Sequence, residues 1–157
     1  MKKINYLPII LSILLYGCGG SEKSQVYIFD GDDFEKNIKE YTISKGPLSE
    51  MGCAFSAILF TKEVLTVMQS GKELSLDDFG KGTTPATIEL FKDKIVWSDI
   101  GLETKIKDNK IQMENKSGKT KGETIDFELK LNKDNMILIM NIKKDKTHCH
   151  FPFKKIN

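Results

Sequence analysis

Two hydrophobic periods divide this chain. Between Phe34 and Met68 the apolar residues recur at helical spacing, and from Ile88 onward they recur at every second position. Phe34, Ile38 and Tyr41 sit at i, i+4 and i+7, one face of a helix. Asp32 can cap that helix, Glu35 completes a capping box, and Gly46-Pro47 ends it. Met51, Ala54, Phe55, Ile58, Leu65 and Met68 lie near one stripe of a second helix, opened by Ser49 and stopped at Gly71. Val26 to Phe29 is a short β-type run ahead of both helices.

Lys72 to Pro85 reads as a loop, after which the period becomes two. Ile88-Glu89-Leu90 and Ile95-Val96-Trp97 flank Lys92-Asp93; Asp108-Asn109 leads into Ile111-Gln112-Met113; Lys116 to Gly122 is a polar loop. Ile125, Phe127, Leu129 and Leu131 alternate with polar residues, the pattern of a half-buried strand. Lys133-Asp134 turns into Met136 to Ile142, apolar enough to be covered on both faces. Thr147 to Phe153 closes the set. Short turns with no intervening helix exclude a parallel sheet. The expected fold class is α+β, with two N-terminal helices packed on an antiparallel β-meander of about six strands. Pro152 lacks a backbone donor, so the last strand should lie at an edge or end early, and Lys154 and Lys155 would discourage edge pairing. Trp97, Phe127, Phe151 and Phe153 suit the core.

Met1-Lys2-Lys3 and the apolar run from Ile4 to Leu15 have the make-up of a secretory signal peptide, and the run is too short to span a bilayer. Its ending, Leu15-Tyr16-Gly17-Cys18, resembles the lipobox of bacterial lipoproteins; Tyr16 is bulkier than the small residue usual there. The resemblance covers the first 18 residues alone. It implies cleavage before Cys18 and lipidation of that sulfur, and Gly19 in place of Asp implies the outer membrane. Residues 1–17 are then a signal peptide, 18–25 a lipidated cysteine with a flexible tether, and 26–157 a single domain facing the periplasm. The seven residues from Gly19 to Gln25 reach at most about 25 Å, which keeps the domain close to the bilayer.

Without residues 1–17 the chain carries 22 lysines, no arginine and 22 acidic groups. That balance argues against nucleic acid, which calls for a basic stripe, and the lack of arginine removes bidentate anion clamps. With Cys18 acylated, Cys53 and Cys149 remain, and an oxidising periplasm favours a bridge between them.

Chemistry is sparse. His148-Cys149-His150 would turn two histidines to one face of a strand, but a zinc site needs a third or fourth ligand and none is signalled. His148 and His150 are therefore weak metal candidates, and solvent-facing histidines are the simpler reading. Asp30, Asp32, Asp33 and Glu35 do not follow calcium-loop spacing and suit helix capping. Asp78-Phe79-Gly80 and Gly118-Lys119-Thr120 lack the companions of kinase and P-loop motifs. No catalytic residue and no cofactor are assigned. The expectation is a non-catalytic, membrane-tethered module for a protein or envelope partner, one form being an immunity or inhibitor lipoprotein. The alternative is a carrier of a small apolar ligand or lipid, which would need a pocket beside the sheet.

Overall fold

The computed structural model describes residues 23–44, 46, 48–72, 84–116, 121–142 and 146–156. Cys18, the Asp78 and Lys119 triplets, and most of the loops expected over 72–85 and 116–122 lie outside the described residues.

The chain is mostly β, not a helix pair on a meander. Among the described residues, nine antiparallel strands form one sheet that curls into a nearly closed barrel, and the α-helices are four and short. The strands are β1 (Gln25–Phe29), β2 (Thr42–Ile43), β3 (Thr87–Leu90), β4 (Lys94–Trp97), β5 (Leu102–Lys105), β6 (Lys110–Glu114), β7 (Thr124–Leu131), β8 (Asn135–Ile142) and β9 (Thr147–Lys155). Their spatial order is β5-β4-β3-β1-β9-β8-β7-β6, with β2 added beside β9. The six-strand expectation failed because β1 joins the sheet. It pairs with both β3 and β9, linking two hairpin systems that would otherwise stand apart. β5 and β6 are the two ends of this order, and they follow one another in the chain. Asp108 and Asn109 both take positive φ in the two-residue turn between them, as a type I′ hairpin requires. Lys107 and Lys110 pair across that turn, then the strands splay and leave a seam.

The last strand is central, against the edge expectation. β9 pairs with β8 along its length and with β1 and β2 on its other side. Pro152 is tolerated there for a local reason. Its carbonyl accepts the Asp30 amide at 2.9 Å, so its nitrogen faces the same flank. β1 ends at Phe29 and β2 starts at Thr42, so no strand stands there to miss the donor.

That gap holds α1 (Gly31–Lys36) and α2 (Ile38–Tyr41). The single helix expected from Asp32 is split at Asn37, and Asp30 is the residue that caps its start, accepting the Asp33 amide. The second expected helix is also split. α3 (Ser49–Ala57) and α4 (Lys62–Ser70) are separated by a 3₁₀ turn, Ile58–Phe60, and by Thr61 in extended conformation. Gly71 ends α4 with φ of 76°, as its position suggested.

The period-two side chains fill the barrel. Ile88, Ile95, Trp97, Ile111, Phe127, Met136, Leu138, Phe151 and Phe153 are all buried. Phe60, carried in by the 3₁₀ turn, sits among them. Its ring centroid lies 4.6 Å from Phe151, 5.3 Å from Phe153, 5.4 Å from Phe29 and 5.6 Å from Phe127. On the outer face, Ile139 is buried between its cross-strand neighbours Glu128 and His150, which accounts for the unbroken apolar run of β8.

Candidate functional site

The helix α3 is held against the start of β9 by two devices and against the end of β8 by a third. A disulfide joins Cys53 to Cys149, with Cα atoms 5.3 Å apart. Beside it the hydroxyls of Ser44, Ser49 and Thr147 form a chain. Ser49 Oγ donates to the Gly46 carbonyl at 2.7 Å and lies 2.6 Å from Ser44 Oγ, which Thr147 Oγ1 reaches at 2.8 Å. Ser49 does not cap the helix as expected; Leu48 occupies the cap position and makes no side-chain cap bond. Gly52 lies against the end of β8, where an added Cβ would meet Ile142.

The bridge sets the rotation of the helix. Successive residues turn by about 100°, so Met51 and Phe55 each lie about 160° from Cys53 and Leu48 about 140°. Cys53 and Ser49 are buried. The opposite side therefore has to face outward, and it is the apolar one. Leu48 is 70%, Phe55 67% and Met51 57% exposed, and Ile43 on β2 is 53% exposed. Three large apolar side chains on one stripe of a covalently fixed helix are unlike the scattered surface hydrophobics of ordinary domains. Met51 and Phe55 were placed on the stripe of a helix expected to pack on the sheet; they are on the surface.

This face stands at the far end of the barrel from the start of the described chain. β2 pairs with His148 and Cys149, whereas β1 begins beside Lys155. Six residues of strand separate Cys149 from Lys155, about 20 Å.

The two histidines point outward as their spacing required. His148 is exposed beside Asn141 and Ile43, and His150 is half-buried beside Ile139. Burial lowers the His150 pKa from its ordinary value, and the charges of Lys130 and His148 add to this against an opposing Glu128. Among the described residues no group of three or more His, Cys, Asp and Glu side chains is placed to hold a metal. The acidic cluster is taken up locally. Asp33 accepts from Asn37 Nδ2 and Tyr41 Oη, and Asp30 lies 3.4 Å from Lys154 Nζ. Among the described residues no helix is long and apolar enough to cross a membrane, which says nothing of strands.

A second feature lies at the seam between β5 and β6. A cavity of about 930 Å³ opens there, with Ile111, Phe127 and Met140 on its floor and Lys107, Lys110, Gln112 and Asp126 around it.

Comparison of the chain with protein-family models, with curated proteins and with solved structures finds no match.

The sequence reading missed Leu48 and misplaced Met51 and Phe55. The signal was present: once Cys53 is paired with a strand residue, helix geometry alone turns positions 51 and 55 away from the barrel.

Proposed function

We propose that this chain is a lipid-anchored, non-catalytic binding module of the cell envelope, and that the Leu48–Met51–Phe55 face of α3 holds an apolar surface of a protein partner. The observation that carries this reading is the exposure of those three side chains on a helix that the Cys53–Cys149 bridge prevents from turning them inward. Exposed aromatic and Met side chains are the residue types enriched at interface cores. A face at the end opposite the tether looks away from the protein's own bilayer, so that bilayer does not cover it. Two copies anchored in one leaflet would both turn it away from their shared membrane, which disfavours self-pairing. The partner is then another protein reaching the anchored domain from the periplasm, and the concrete form of the reading is an immunity or inhibitor lipoprotein on the outer membrane. It is supported by the lipobox resemblance for Cys18 and by the bridge for the oxidising compartment.

The test replaces Met51 and Phe55 together by Asp in the mature lipoprotein. Capture of the envelope partner held by the wild type should weaken by about 30-fold or more, the loss of one interface hot spot. The melting temperature should stay where it was, because both positions face solvent. Unchanged capture would remove α3 from the interface.

The seam cavity favours a second reading, the carrier of a small apolar ligand or lipid. Its charged surround is unlike the apolar lining usual in such pockets, and the interior that a carrier would hollow out is filled by Trp97, Phe127, Met136 and Leu138. A lipid or metabolite seen at one per chain by native mass spectrometry would favour it over the protein-binding module.

A further inference from the structure

We infer that the tether-side end of the barrel is a docking surface for an anionic lipid bilayer, on which exposed apolar tips enter the headgroup boundary and the lysines beside them meet lipid phosphate. The inference deepens the proposed function and rests on its lipid anchor at Cys18.

The sheet register gathers this end from segments far apart in sequence. Gln25 pairs with Leu90, so β1 begins beside the β3–β4 turn. The Ile106 amide donates to the Asp93 carbonyl, bringing in the β5–β6 turn. The Lys155 amide donates to the Asp134 carbonyl and the Ile156 amide to that of Val26, which adds the β7–β8 turn and the end of β9. Each of these segments presents an apolar residue with a lysine next to it or two positions on: Phe91 with Lys92, Ile106 with Lys107, Leu131 with Lys133, and Ile156 with Lys155. Leu131, 57% exposed, and Ile156, 54% exposed, are the two apolar tips; Phe91 and Ile106 are half-buried, and all four lysines are exposed. None of the four forms an ion pair among the described residues. Lys23, where the described chain begins, adds a fifth cation; Asp93, Asp108 and Asp134 are the acids in the same turns.

Paired apolar tips and lysine stems are how a protein surface sits at a headgroup boundary, with the side-chain carbons in the apolar layer and the ammonium among phosphates. Cations near an anionic leaflet each raise affinity by roughly fivefold. The occupant is indicated by the chain itself. Cys18 and Gln25 are seven residue steps apart, a reach of at most about 25 Å, and β1 begins at this end. An acylated Cys18 therefore brings these turns, before any other part of the domain, to the bilayer.

The experiment uses the mature lipoprotein reconstituted into vesicles whose acyl chains are brominated, made either of phosphatidylglycerol and phosphatidylcholine or of phosphatidylcholine alone. Leu131→Trp and, separately, Ile156→Trp report depth, since the native Trp97 is buried in the barrel. Both reporters should be quenched in the phosphatidylglycerol vesicles, by about twofold or more relative to phosphatidylcholine. Phe55→Trp at the other end should not be quenched in either. Changing Lys92, Lys107, Lys133 and Lys155 together to Glu should abolish the quenching while the protein still floats with the vesicles. A protein that floats with unquenched reporters, or with equal quenching in both lipids, overturns the docking surface and leaves the anchor standing. A protein that does not float overturns the anchor and the docking surface together. Ile156 is exposed and outside the core, so its reporter stands even where Leu131→Trp perturbs the β7–β8 hairpin.

Discussion

α3 and the stretch from Ile58 to Ser70 are neighbours in the chain, and they treat their apolar residues in opposite ways. The later stretch turns Phe60, Val64, Leu65 and Met68 into the barrel; α3 turns Leu48, Met51 and Phe55 out of it. An uninterrupted helix would have put Leu65 about 40° from Met51, on the outward side. Thr61 is extended, with φ of −111° and ψ of 143°, and this breaks the phase between the two. Each half then takes its rotation from its own strongest contact. For the later half that contact is Phe60 among five aromatic rings; for α3 it is one sulfur–sulfur bond. The lesson is that a stripe of apolar residues reports a core only where nothing stronger decides the rotation of the helix that carries it.

The largest expected effect probes the inward half. Phe60→Ala removes the ring at the centre of the Phe29–Trp97–Phe127–Phe151–Phe153 cluster, and should cost about 3–5 kcal/mol in chemical denaturation. A cost below about 1 kcal/mol would mean that the barrel is filled without it, and the contrast between the two halves would lose its inward member.

The outward half responds to the bridge. Cys53 and Cys149 are 96 positions apart, so cutting the bond frees a long loop in the unfolded chain. The paired change to Ser should cost about 2–4 kcal/mol, within a chain-entropy ceiling near 4.7. It should also release α3 before the barrel. Amides of residues 49–57 should exchange faster by a larger factor than those of β8, because only the hydroxyl chain from Ser44 to Thr147 and the packing of Gly52 on Ile142 then hold the helix. Uniform acceleration across α3 and β8 would show that the bond stabilises the whole fold without setting the helix rotation.

Much of the sheet was legible because it is local. Lys92-Asp93, Asp108-Asn109 and Lys133-Asp134 all form the turns expected of them, each closed by hydrogen bonds between flanking residues. The alternation around Phe127 and Leu129 reads directly as an inward face. The bridge was legible from the cysteine count. What escaped were contacts between segments distant in sequence. Val26 to Phe29 is visibly a strand, but nothing within it announces β3 and β9 as its partners, and without them no barrel closes. Pro152 read as an edge residue because its tolerance depends on where β1 stops, a fact about another segment. For the candidate site the sequence supplied Cys53 and Cys149 but drew Met51 and Phe55 into one stripe with Leu65 and Met68, which are buried. The break at Ile58–Thr61 has no Gly or Pro to mark it, and a period drawn through it cannot detect a change of phase.

The smallest expected effect concerns the other fastening of the helical layer, at Tyr41. Its ring stacks on Phe34, which packs on Phe151, and its hydroxyl donates to the Asp33 carboxylate. Burial first, then that hydrogen bond and the charges of Asp33, Asp30 and Glu40, push its pKa up to about 12. An unfolded tyrosine ionises near 10, so above that pH the unfolded chain gives up the proton while the folded one keeps it. The stability Tyr41 contributes is thus complete below about pH 10 and is lost as pH rises toward about 12. Tyr41→Phe should cost about 1–2 kcal/mol at neutral pH, the low end for a hydrogen bond to a charged group because water reaches this half-buried pair. The gap between variant and wild type should narrow above about pH 10, whereas Tyr27, also shifted upward by burial, titrates in both proteins and cancels. The same variant should leave the bridge intact and Phe55 exposed, because α3 takes its rotation from Cys53 and not from α2. A gap that stays constant through the alkaline range would detach the hydroxyl from Asp33. A change in Phe55 accessibility would make the rotation of α3 a joint property of both fastenings, and the division between an inward half set by packing and an outward half set by a covalent bond would have to be redrawn.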